Sequence, residues 1–390
     1  MLRFFTAGES HGQGLIALVQ GLPAAVPVDA EFINSELKRR QGGYGRGGRM
    51  KIETDTAEIL SGVRHGHTIG APVAIFIRNR DWENWKDILP VEARETPEER
   101  QRKLTAPRPG HADLAGALKY NLHDARYILE RASARESAAR VAAGALAKLL
   151  LRAFGIEVWS HVAAVGRARL EREASFEEVR EVATREESLL RCVDPETESA
   201  MKAEVDQALR TGDSVGGIFE VVVHGAPPGL GTHTTWDERL DGLLAQAVMS
   251  LQAVKAVEIG TGMESAVSFG SAVQDPIGYD KDRAAFTRRA NRAGGIEGGI
   301  TNGQDVIVRG YLKPISTLRR PLESADLVTK ESVQAAYERS DVCVVPAAGV
   351  AAEAMTALVI ARCFLEKFGG DSLGEIRRNY DGYLEQIRNF

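Results

Sequence analysis

Alternation of apolar and polar residues predicts β-strands at several places along the chain. The segment Gly217–His224 (GIFEVVVH) alternates in this way and is rich in β-branched residues, so it predicts a strand. The segment Ala71–Ile77 (APVAIFI) combines β-branched and aromatic residues and predicts another. Residues 1–80 as a whole indicate short strands joined by turns. Glycine fills five of the seven positions 42–48. This predicts a flexible loop, because a segment so rich in glycine does not hold regular structure.

Helical patterns follow further along the chain. A Ser or Thr followed three residues later by Glu has capping-box spacing, and this pattern opens runs at Ser133 and Thr235. The first run predicts a helix to about residue 154, and the second predicts a helix to about residue 258. Residues 165–211 look helical and partly polar. The apolar run from about residue 350 to 368 predicts a last helix that ends at Gly369 and Gly370.

The order of these elements predicts the fold class. Strands and helices occur in blocks, without the steady alternation of a doubly wound parallel sheet, so the pattern favours an α+β fold. No Pro- or Ser-rich linker divides the sequence, which predicts one large domain spanning residues 1–390.

One segment is dense in charge. Eight of the twelve residues from Glu92 to Lys103 are charged. A plain solvated surface segment and a functional lid are both compatible with this composition. We expect a mobile segment near the mouth of the site that becomes ordered on ligand binding, because it has no apolar anchors of its own.

Composition narrows the class of protein. The chain has 390 residues, 44% of them hydrophobic, with a formal net charge of −5 and a pI of about 6.0. This overall charge gives no sign of nucleic-acid or membrane binding, and the apolar runs look shorter than a membrane span. The N-terminus lacks the apolar core of a signal peptide, and the three cysteines form no disulfide framework or metal-binding cluster. We therefore expect a soluble cytoplasmic protein without a metal.

Against this acidic background, cationic residues gather locally. Arg39, Arg40, Arg46 and Arg49 fall within eleven residues, and adjacent glycines let backbone N–H groups approach an anion. Arginine binds phosphate and carboxylate groups through two parallel hydrogen bonds. An anion-binding site and a solvated basic loop both explain this pattern. Further arginines at 288–292 and 319–320 favour a ligand with several negative charges.

Two histidines stand among small residues in turn-like contexts. His11 lies in the sequence ESHG, and His111 lies in RPGHAD. Histidine exchanges a proton near neutral pH, and a neighbouring glycine permits close approach of a ligand. A structural role for either histidine is the alternative. The helix start at Ser133 similarly offers N–H groups to an anion or a flavin phosphate, unless it is a simple cap.

A dinucleotide-binding motif is also matched in form. Gly12, Gly14 and Ala17 fit the pattern G-x-G-x-x-[GA], which requires a following helix whose N-terminus faces the pyrophosphate. Gly21 and Pro23 arrive too soon for that helix, so we interpret the match as coincidence.

Longer motifs occur in a fixed order along the chain. They are GESHG (8–12), RQGGYGR (40–46), RPGHAD (108–113), ERASARES (130–137), GIEGGITNG (295–303), KPIST (313–317) and RSDVC (339–343), with Glu353 downstream. In this order they resemble the signatures of the chorismate synthase family, over residues 1 to about 370. The mild departure is Ala132, where the family often has serine.

The resemblance implies a fold and a reaction. The fold is one domain with helices packed between antiparallel sheets, assembled as a homotetramer. The reaction is the anti-1,4-elimination of phosphate from 5-enolpyruvylshikimate 3-phosphate, which gives chorismate in the last step of the shikimate pathway. Reduced FMN is required without net redox change. NADPH would be used only if the chain reduces its own flavin, and the sequence leaves this open.

The resemblance also implies which residues act. His11 would neutralise the departing phosphate, His111 would face flavin N1, and Asp341 would lie beside flavin N5, where the C6 hydrogen leaves. Substrate anions would be bound by Ser10, Arg40, Arg46, Arg49, Arg135 and Arg339. The FMN-binding positions would be Ser133, Ala134, Arg135, Gln252, Ala253, Gly298, Lys313, Pro314, Ile315, Ser316, Thr317 and Arg339. Arg40 and Arg46 would also bind NADPH in members that use it.

Two other classes of protein compete with this hypothesis. One is an NAD(P)-dependent oxidoreductase built on the Gly12 motif, and the other is a non-catalytic anion-binding protein built on the arginine-rich loops. The oxidoreductase would consume nicotinamide in step with its product. The binding protein would show ligand affinity without turnover.

Overall fold

The computed structural model describes residues 1–47, 54–93, 95, 102–282, 285–338 and 341–390. Within these residues the helices are α1 (Ala30–Gln41), α2 (Asp113–Tyr120), α3 (Arg126–Ala132), α4 (Ser137–Arg152), α5 (Phe176–Thr184), α6 (Pro195–Thr211), α7 (Leu240–Met249), α8 (Gly262–Ala266), α9 (Gly270–Val273), α10 (Val345–Phe368) and α11 (Leu373–Arg388). The strands are β1 (Arg3–Gly8), β2 (Gly14–Gln20), β3 (Ala57–Ile59), β4 (Val63–Arg64), β5 (His67–Thr68), β6 (Val73–Arg78), β7 (Glu157–Val165), β8 (Ala168–Arg169), β9 (Gly217–His224), β10 (Val254–Ile259), β11 (Ile277–Asp280), β12 (Ala285–Arg288), β13 (Ile296–Glu297), β14 (Ile300–Thr301), β15 (Val306–Leu312), β16 (Glu323–Ala325) and β17 (Ser332–Gln334).

Two antiparallel sheets form the outer layers. The first has the strand order β1-β2-β6-β3, and the second has the order β10-β15-β9-β7-β8. In the first sheet Val19 pairs with both Phe4 and Val73, and both valines are buried. In the second sheet Val221 pairs with Val308 and Ser160. Because side chains alternate along a strand, each sheet turns one apolar face inwards.

Helices fill the space between the sheets. Helix α4 packs against β2 and β6 of the first sheet, and α10 packs against β7 and β9 of the second. The two helices also pack against each other at Gly144, where an added Cβ would lie only 2.4 Å from the Cα of Ala354. The absence of a side chain at Gly144 therefore sets the close approach of the two helices. This arrangement confirms the predicted α+β fold with helices between antiparallel sheets.

The inner helix α10 is apolar around most of its circumference. It has the length and mean hydropathy, 1.6, to cross a membrane, but 78% of its apolar window is buried inside the protein. The expectation that every apolar run is shorter than a membrane span is therefore wrong for this helix. Its burial between α4 and the second sheet explains the composition, because a helix enclosed on all sides needs no polar face.

One large apolar core joins the layers. Its buried members include Ile33 of α1, Val73 of the first sheet, Leu150 of α4, Val221 of the second sheet and Ile360 of α10. Both sheets thus bury their inner faces against the same set of helices. The continuity of this core supports the prediction of a single domain over residues 1–390.

Several local predictions are confirmed. Strand β9 has the predicted bounds Gly217–His224, and β6 covers most of the predicted strand at 71–77. Helix α10 ends at Phe368 as predicted, although it begins five residues earlier than the pattern indicated. In the region 165–211, predicted to be helical, α5 and α6 are present, but the first part holds the strand β8 and a loop instead. The described part of the glycine loop, residues 42–47, contains no helix or strand.

The helix predicted from Thr235 to about residue 258 is wrong in its second half. A short 3₁₀ turn, Trp236–Glu238, precedes α7, which ends at Met249, and β10 follows from Val254. The side chain of Thr235 donates to the carboxylate of Glu238 at 2.9 Å and does not cap the helix. Ala253 has a positive φ of 69°, which breaks the helical path before the strand pairs with β15.

Two further predictions, both for the N-terminal half of the chain, need correction. Ser133 does not begin a long helix: it ends α3 and caps the 3₁₀ turn Ala134–Glu136, and α4 begins only at Ser137. The carboxylate of Glu136 accepts hydrogen bonds from Arg140 and does not complete a capping box. The description of residues 1–80 as strands and turns missed α1, whose N-cap Asp29 accepts a hydrogen bond from the N–H of Glu31.

The glycine motif at Gly12 does not form a dinucleotide-binding turn. Its second glycine, Gly14, begins strand β2, which runs to Gln20. The next helix, α1, begins only at Ala30, too far along the chain to present its N-terminus at this turn, so the interpretation of the match as coincidence is confirmed. In the charged segment 92–103, positions 94 and 96–101 lie outside the described residues, and its predicted mobility stays a prediction.

Candidate active site

The turn between β1 and β2 holds His11 in a buried position. The backbone N–H of His11 donates to the Glu130 carboxylate at 2.7 Å. Its Nδ1 lies 2.9 and 3.0 Å from the two carboxylate oxygens of the same glutamate. The imidazole also stacks on Trp85, with ring centroids 4.0 Å apart. Three contacts with one carboxylate and a stacking partner fix the ring, as a proton-transfer group requires.

Two of the sequence motifs meet at Ser10 and Ser133. The Ser133 hydroxyl donates to the Ser10 hydroxyl at 3.2 Å, and the N–H of Ser10 donates to the backbone carbonyl of Glu130 at 2.9 Å. Ser133 also caps the turn that carries Arg135. The turn containing His11 and the segment 130–137 therefore form one structural unit.

A buried arginine pair lies next to this unit. Arg40, at the end of α1, and Arg135 share the carboxylate of Asp55 at 2.9 and 2.6 Å. Asn79 accepts from Arg135 at 2.9 Å and donates to the backbone carbonyls of Glu9 and Gly12. Asn79 thus ties the arginine pair to the turn of His11.

Charge accumulates around Arg40. Burial raises the pKa of Asp55, but Arg40 and Arg135 outweigh burial and hold that pKa below its ordinary value. Burial, followed by the repulsion from Arg135 and Arg46, lowers the pKa of Arg40 in spite of Asp55. The Nε atom of Arg40 is buried with no hydrogen-bond partner among the described residues. Crowded guanidinium groups of this kind favour the binding of an additional anion.

The glycine-rich loop after α1 reaches the start of the RSDVC motif. Arg46 lies 3.1 Å from the Asp341 carboxylate, and the N–H of Gly47 donates to the same carboxylate at 2.6 Å. Asp341 therefore lies beside the arginine loop. Two further candidates, Arg49 and Arg339, lie outside the described residues.

His111 forms a second histidine–carboxylate pair. Its Nδ1 lies 2.5 Å from Asp113, which also binds the Nε of Arg108 at 2.8 Å. Burial raises the pKa of Asp113, but hydrogen bonds from His111 and Arg108 and their charges hold it well below its ordinary value. Arg108 also donates to the Thr317 hydroxyl at 3.0 Å. His111 is thereby joined to the KPIST segment, 313–317.

The other flavin candidates gather around this segment. The backbone N–H of Lys313 donates to the carbonyl of Ala253 at 3.0 Å, and its ammonium donates to the carbonyl of Gly110. Gln252 donates to Glu136 at 3.3 Å, next to the turn that holds Ala134 and Arg135. Pro314, Ile315 and Ser316 lie between the two anchored ends of the segment. Residues 133–135, 252–253 and 313–317 therefore form a connected set with His111.

Gly298 is not tied to this set by the described contacts. It lies in the turn between β13 and β14, where an added Cβ would meet nothing within 4 Å. In the same hairpin, Glu297 forms an ion pair with Arg288, and the carbonyl of Gly299 accepts a hydrogen bond from the N–H of Leu240. The structure thus leaves Gly298 accessible but does not join it to the other candidates.

Sequence reasoning missed the residues that orient the others. Asp55, Asn79 and Trp85 stand outside every motif, so no sequence signal identified them. Glu130 and Arg108 were inside quoted motifs, but nothing in their spacing distinguished them from structural residues. Their positions inside motifs that also contain His111 and Arg135 were the available signal.

These contacts define a class of protein. Three guanidinium groups, from Arg40, Arg46 and Arg135, face two carboxylates, from Asp55 and Asp341. The three guanidinium groups carry one more charge than the two carboxylates, and Asn79 links Arg135 to the turn that holds His11. Such a site is that of an enzyme that acts on a small ligand with several negative charges.

Comparisons with known proteins identify the family. The model of the chorismate synthase family matches residues 2–365. Chorismate synthases of Solibacter usitatus, Geobacter sulfurreducens and Aquifex aeolicus are 67%, 55% and 51% identical to the chain, covering all of it and 99–100% of each relative. A crystal structure of a chorismate synthase, 42% identical, superposes with a TM-score of 0.80 over 100% of the chain and 99% of that structure.

The chain belongs to the chorismate synthase family. It is a lyase that catalyses the last step of the shikimate pathway, the elimination of phosphate from 5-enolpyruvylshikimate 3-phosphate to give chorismate. Enzymes of this family require a reduced flavin. The class of oxidoreductases and the class of non-catalytic binding proteins are both excluded by this assignment.

Proposed function

We propose that the elimination takes place at the cluster of Ser10, His11, Arg40, Arg46 and Arg135, with reduced FMN as the flavin. One observation carries this proposal: Arg40 and Arg135 share a single buried carboxylate, Asp55, within one bonded unit with His11. The substrate has two carboxylates and a phosphate, so it supplies the negative charge that this cluster lacks. Arg49 and Arg339 complete the proposed set of substrate-binding residues.

His11 acts on the departing phosphate. As the C3–O bond breaks, the phosphate gains negative charge, which a protonated imidazole neutralises. Glu130 occupies Nδ1 of His11, so Nε2 is the ring nitrogen left to serve the phosphate. Ser10 and Ser133 add hydroxyl groups to the same wall of the site.

Asp341 acts where the C6 hydrogen leaves. The contacts of its carboxylate with Arg46 and with the N–H of Gly47 support this role, since they hold it at the edge of the arginine cluster. A carboxylate in this place can accept the proton that the elimination releases. Loss of the C6 hydrogen and of the phosphate then balances the formation of the new double bond.

The residues around Lys313 fit a flavin that carries a phosphate. Lys313 and Thr317 supply a cation and a hydroxyl, and Gly110 leaves room that an added Cβ would close, 2.8 Å from the Lys313 ammonium. Burial and the neighbouring cation of Lys255 lower the pKa of Lys313, which favours an anion close by. When bound, the reduced flavin supplies electron density that is returned within the cycle.

His111 is the residue proposed to face flavin N1. The remaining proposed FMN-binding residues are Ser133, Ala134, Arg135, Gln252, Ala253, Gly298, Pro314, Ile315, Ser316 and Arg339. Lys313→Ala should weaken binding of reduced FMN by roughly tenfold or more, but not binding of reduced riboflavin, which lacks the phosphate. Lys202→Ala, a surface change, is the control. Equal losses for both flavins would contradict a phosphate contact at Lys313.

An anaerobic assay tests the proposed use of the flavin. With chemically reduced FMN, the chain should release phosphate and chorismate in equal amounts and consume no stoichiometric reductant. A second assay supplies oxidised FMN and NADPH alone. Turnover there would mean that the chain reduces its own flavin, with Arg40 and Arg46 as the proposed contacts of NADPH. Consumption of reductant in step with product would contradict the proposal.

We also propose a homotetramer located in the cytoplasm. The outer face of the first sheet exposes Phe5, Ile16 and Leu18, of which Phe5 is 61% exposed. An apolar sheet face of this kind supports assembly with further copies of the chain. Light scattering should give the mass of four chains, and Ile16→Lys should reduce it, whereas Val91→Lys, at an isolated exposed valine, should not. The three free, buried cysteines fit a reducing compartment.

A further inference from the structure

The carboxylate of Glu130 is directed almost wholly at one residue. Glu130 lies in α3, is only 2% exposed, and accepts from both the backbone N–H and the Nδ1 of His11. Among the described residues, the guanidinium of Arg126 lies 3.8 Å from Glu130. Arg126 makes its short ion pair with Glu338, at 2.7 Å. The negative charge of Glu130 is therefore available to the imidazole.

The stacking of His11 on Trp85 is reinforced from outside. The two ring planes are inclined by 26°, and the Trp85 indole donates to Asp81 at 2.9 Å. The guanidinium groups of Arg102 and Arg126 lie 4.6 and 5.5 Å from the Trp85 ring. Cations over an indole add to its packing, so both arginines stabilise the aromatic ring against which the imidazole stacks.

These contacts set both the plane and the tautomer of His11. A carboxylate at Nδ1 accepts a hydrogen bond only if Nδ1 carries the proton. The exchangeable proton of the cationic ring is then the one on Nε2. A buried carboxylate orients a catalytic histidine in the same way in other enzymes.

We propose that Glu130 is a positioning residue that orients His11 and selects its Nδ1–H tautomer, so that Nε2 delivers its proton to the leaving phosphate. This inference rests on the proposed function of His11. It assigns no contact between Glu130 and the substrate: Glu130 acts only through the imidazole.

The chain offers a second buried histidine–glutamate pair as a control. Glu220 is also buried and binds His161 Nε2 at 3.0 Å, but it also accepts from Arg309 at 2.6 Å, and the pair lies across β7 and β9 of the second sheet. Glu130→Gln and Glu220→Gln make the same chemical change in two buried histidine–glutamate pairs. A purely structural role for both would lower stability in both variants and leave turnover of the folded protein unchanged.

The experiment measures turnover of the full chain with reduced FMN and no oxygen. Glu130→Gln should lower kcat roughly tenfold to thousandfold with little change in KM, because the arginines that bind the substrate are intact. Glu220→Gln should leave kcat unchanged. Nitrogen-15 NMR of labelled histidine should show Nδ1–H for His11 in the parent chain and a mixture of tautomers in Glu130→Gln.

A double mutant separates the possible failures. If Glu130 acts through His11, then His11→Ala combined with Glu130→Gln should be no slower than His11→Ala alone. Additive losses, or an unchanged kcat in Glu130→Gln, would overturn the inference while the parent enzyme still turns over. If the parent is active but His11→Ala has normal kcat, the proposed role of His11 fails first. Should Glu130→Gln not fold, Glu130→Asp provides the same comparison. Its shorter side chain no longer reaches both the backbone N–H and the Nδ1 of His11.

Discussion

The two histidine–carboxylate pairs of this molecule are similar in chemistry and different in construction. His11 and Glu130 are 119 residues apart in sequence. They meet only because α3 packs on the turn between β1 and β2. His111 and Asp113 are two residues apart and pair within one turn. The His11 side chain is 10% exposed and stacks on Trp85, whereas that of His111 is 19% exposed.

The difference lies in how the carboxylate charge is shared. Arg108 binds both oxygens of Asp113, at 2.8 and 3.1 Å. The negative charge of Asp113 is therefore shared between Arg108 and His111. Glu130 has no guanidinium within hydrogen-bond distance among the described residues, since Arg126 is 3.8 Å away. Arg108 adds a positive charge to the second pair, which suits an anionic flavin. A histidine with its own carboxylate suits proton transfer to the phosphate.

Removal of the first histidine should have the largest effect. His11→Ala should lower kcat about a hundredfold to ten-thousandfold, the usual loss for a general acid, and leave binding of reduced FMN nearly intact. Single-turnover kinetics and flavin titration measure the two quantities. His224→Ala, at an exposed pair with Asp305, is the control. An equal loss of flavin affinity would break the division of roles between the two histidines.

Removal of the second histidine should act on the flavin. His111→Ala should change the ionisation of bound reduced FMN, because a cation beside N1 stabilises the anionic ring. Absorbance of the bound flavin against pH measures this, and the rate should also fall. His111→Asn should rescue little, since it keeps a hydrogen bond but not the charge. Spectra identical to those of His11→Ala would mean that the two histidines do not differ in role.

The arginine cluster should affect binding of the substrate more than either histidine does. Arg46→Ala should weaken substrate binding by roughly 2 kcal/mol, the size of a lost charge-assisted pair. Arg46→Lys should lose less, because the charge survives and the paired hydrogen bonds do not. Equilibrium titration of the substrate measures both, with Arg172→Ala as a surface control. A fall in thermal stability with unchanged substrate affinity would instead make the loop structural.

The smallest expected effect is a pH dependence at the second pair. The pKa of Asp113 is lowered in the folded chain, so its charge stabilises the fold above the ordinary value of 3.8, and this contribution is lost as pH falls below it. The stability advantage of the parent over Asp113→Asn should therefore shrink by about 1 kcal/mol between pH 7 and pH 3. Urea unfolding at both pH values measures it. Asp305→Asn should show a smaller change, since an exposed pair contributes little.

Much of the architecture could be predicted before the structure. Alternating β-branched residues predicted β9 and β6, and blocks of elements predicted the α+β class. The long motifs predicted most of the candidate site residues, and the structure brings Ser10, His11, Ser133 and Arg135 together. Predictions failed where a long-range pairing outweighed a local signal, as when β10 paired with β15 and displaced the expected helix after Thr235.

What the sequence determined by itself is local or repeated: the strand periodicity and the apolar inner helix. What only the tertiary structure decided is which distant charges meet. Glu130 reaches His11 across 119 residues, and Asp55 reaches Arg135 across 80. Such pairs form because burying one charge requires an opposite charge beside it, and the partner is chosen by the packing of the whole core. Residue spacing carries no record of that choice.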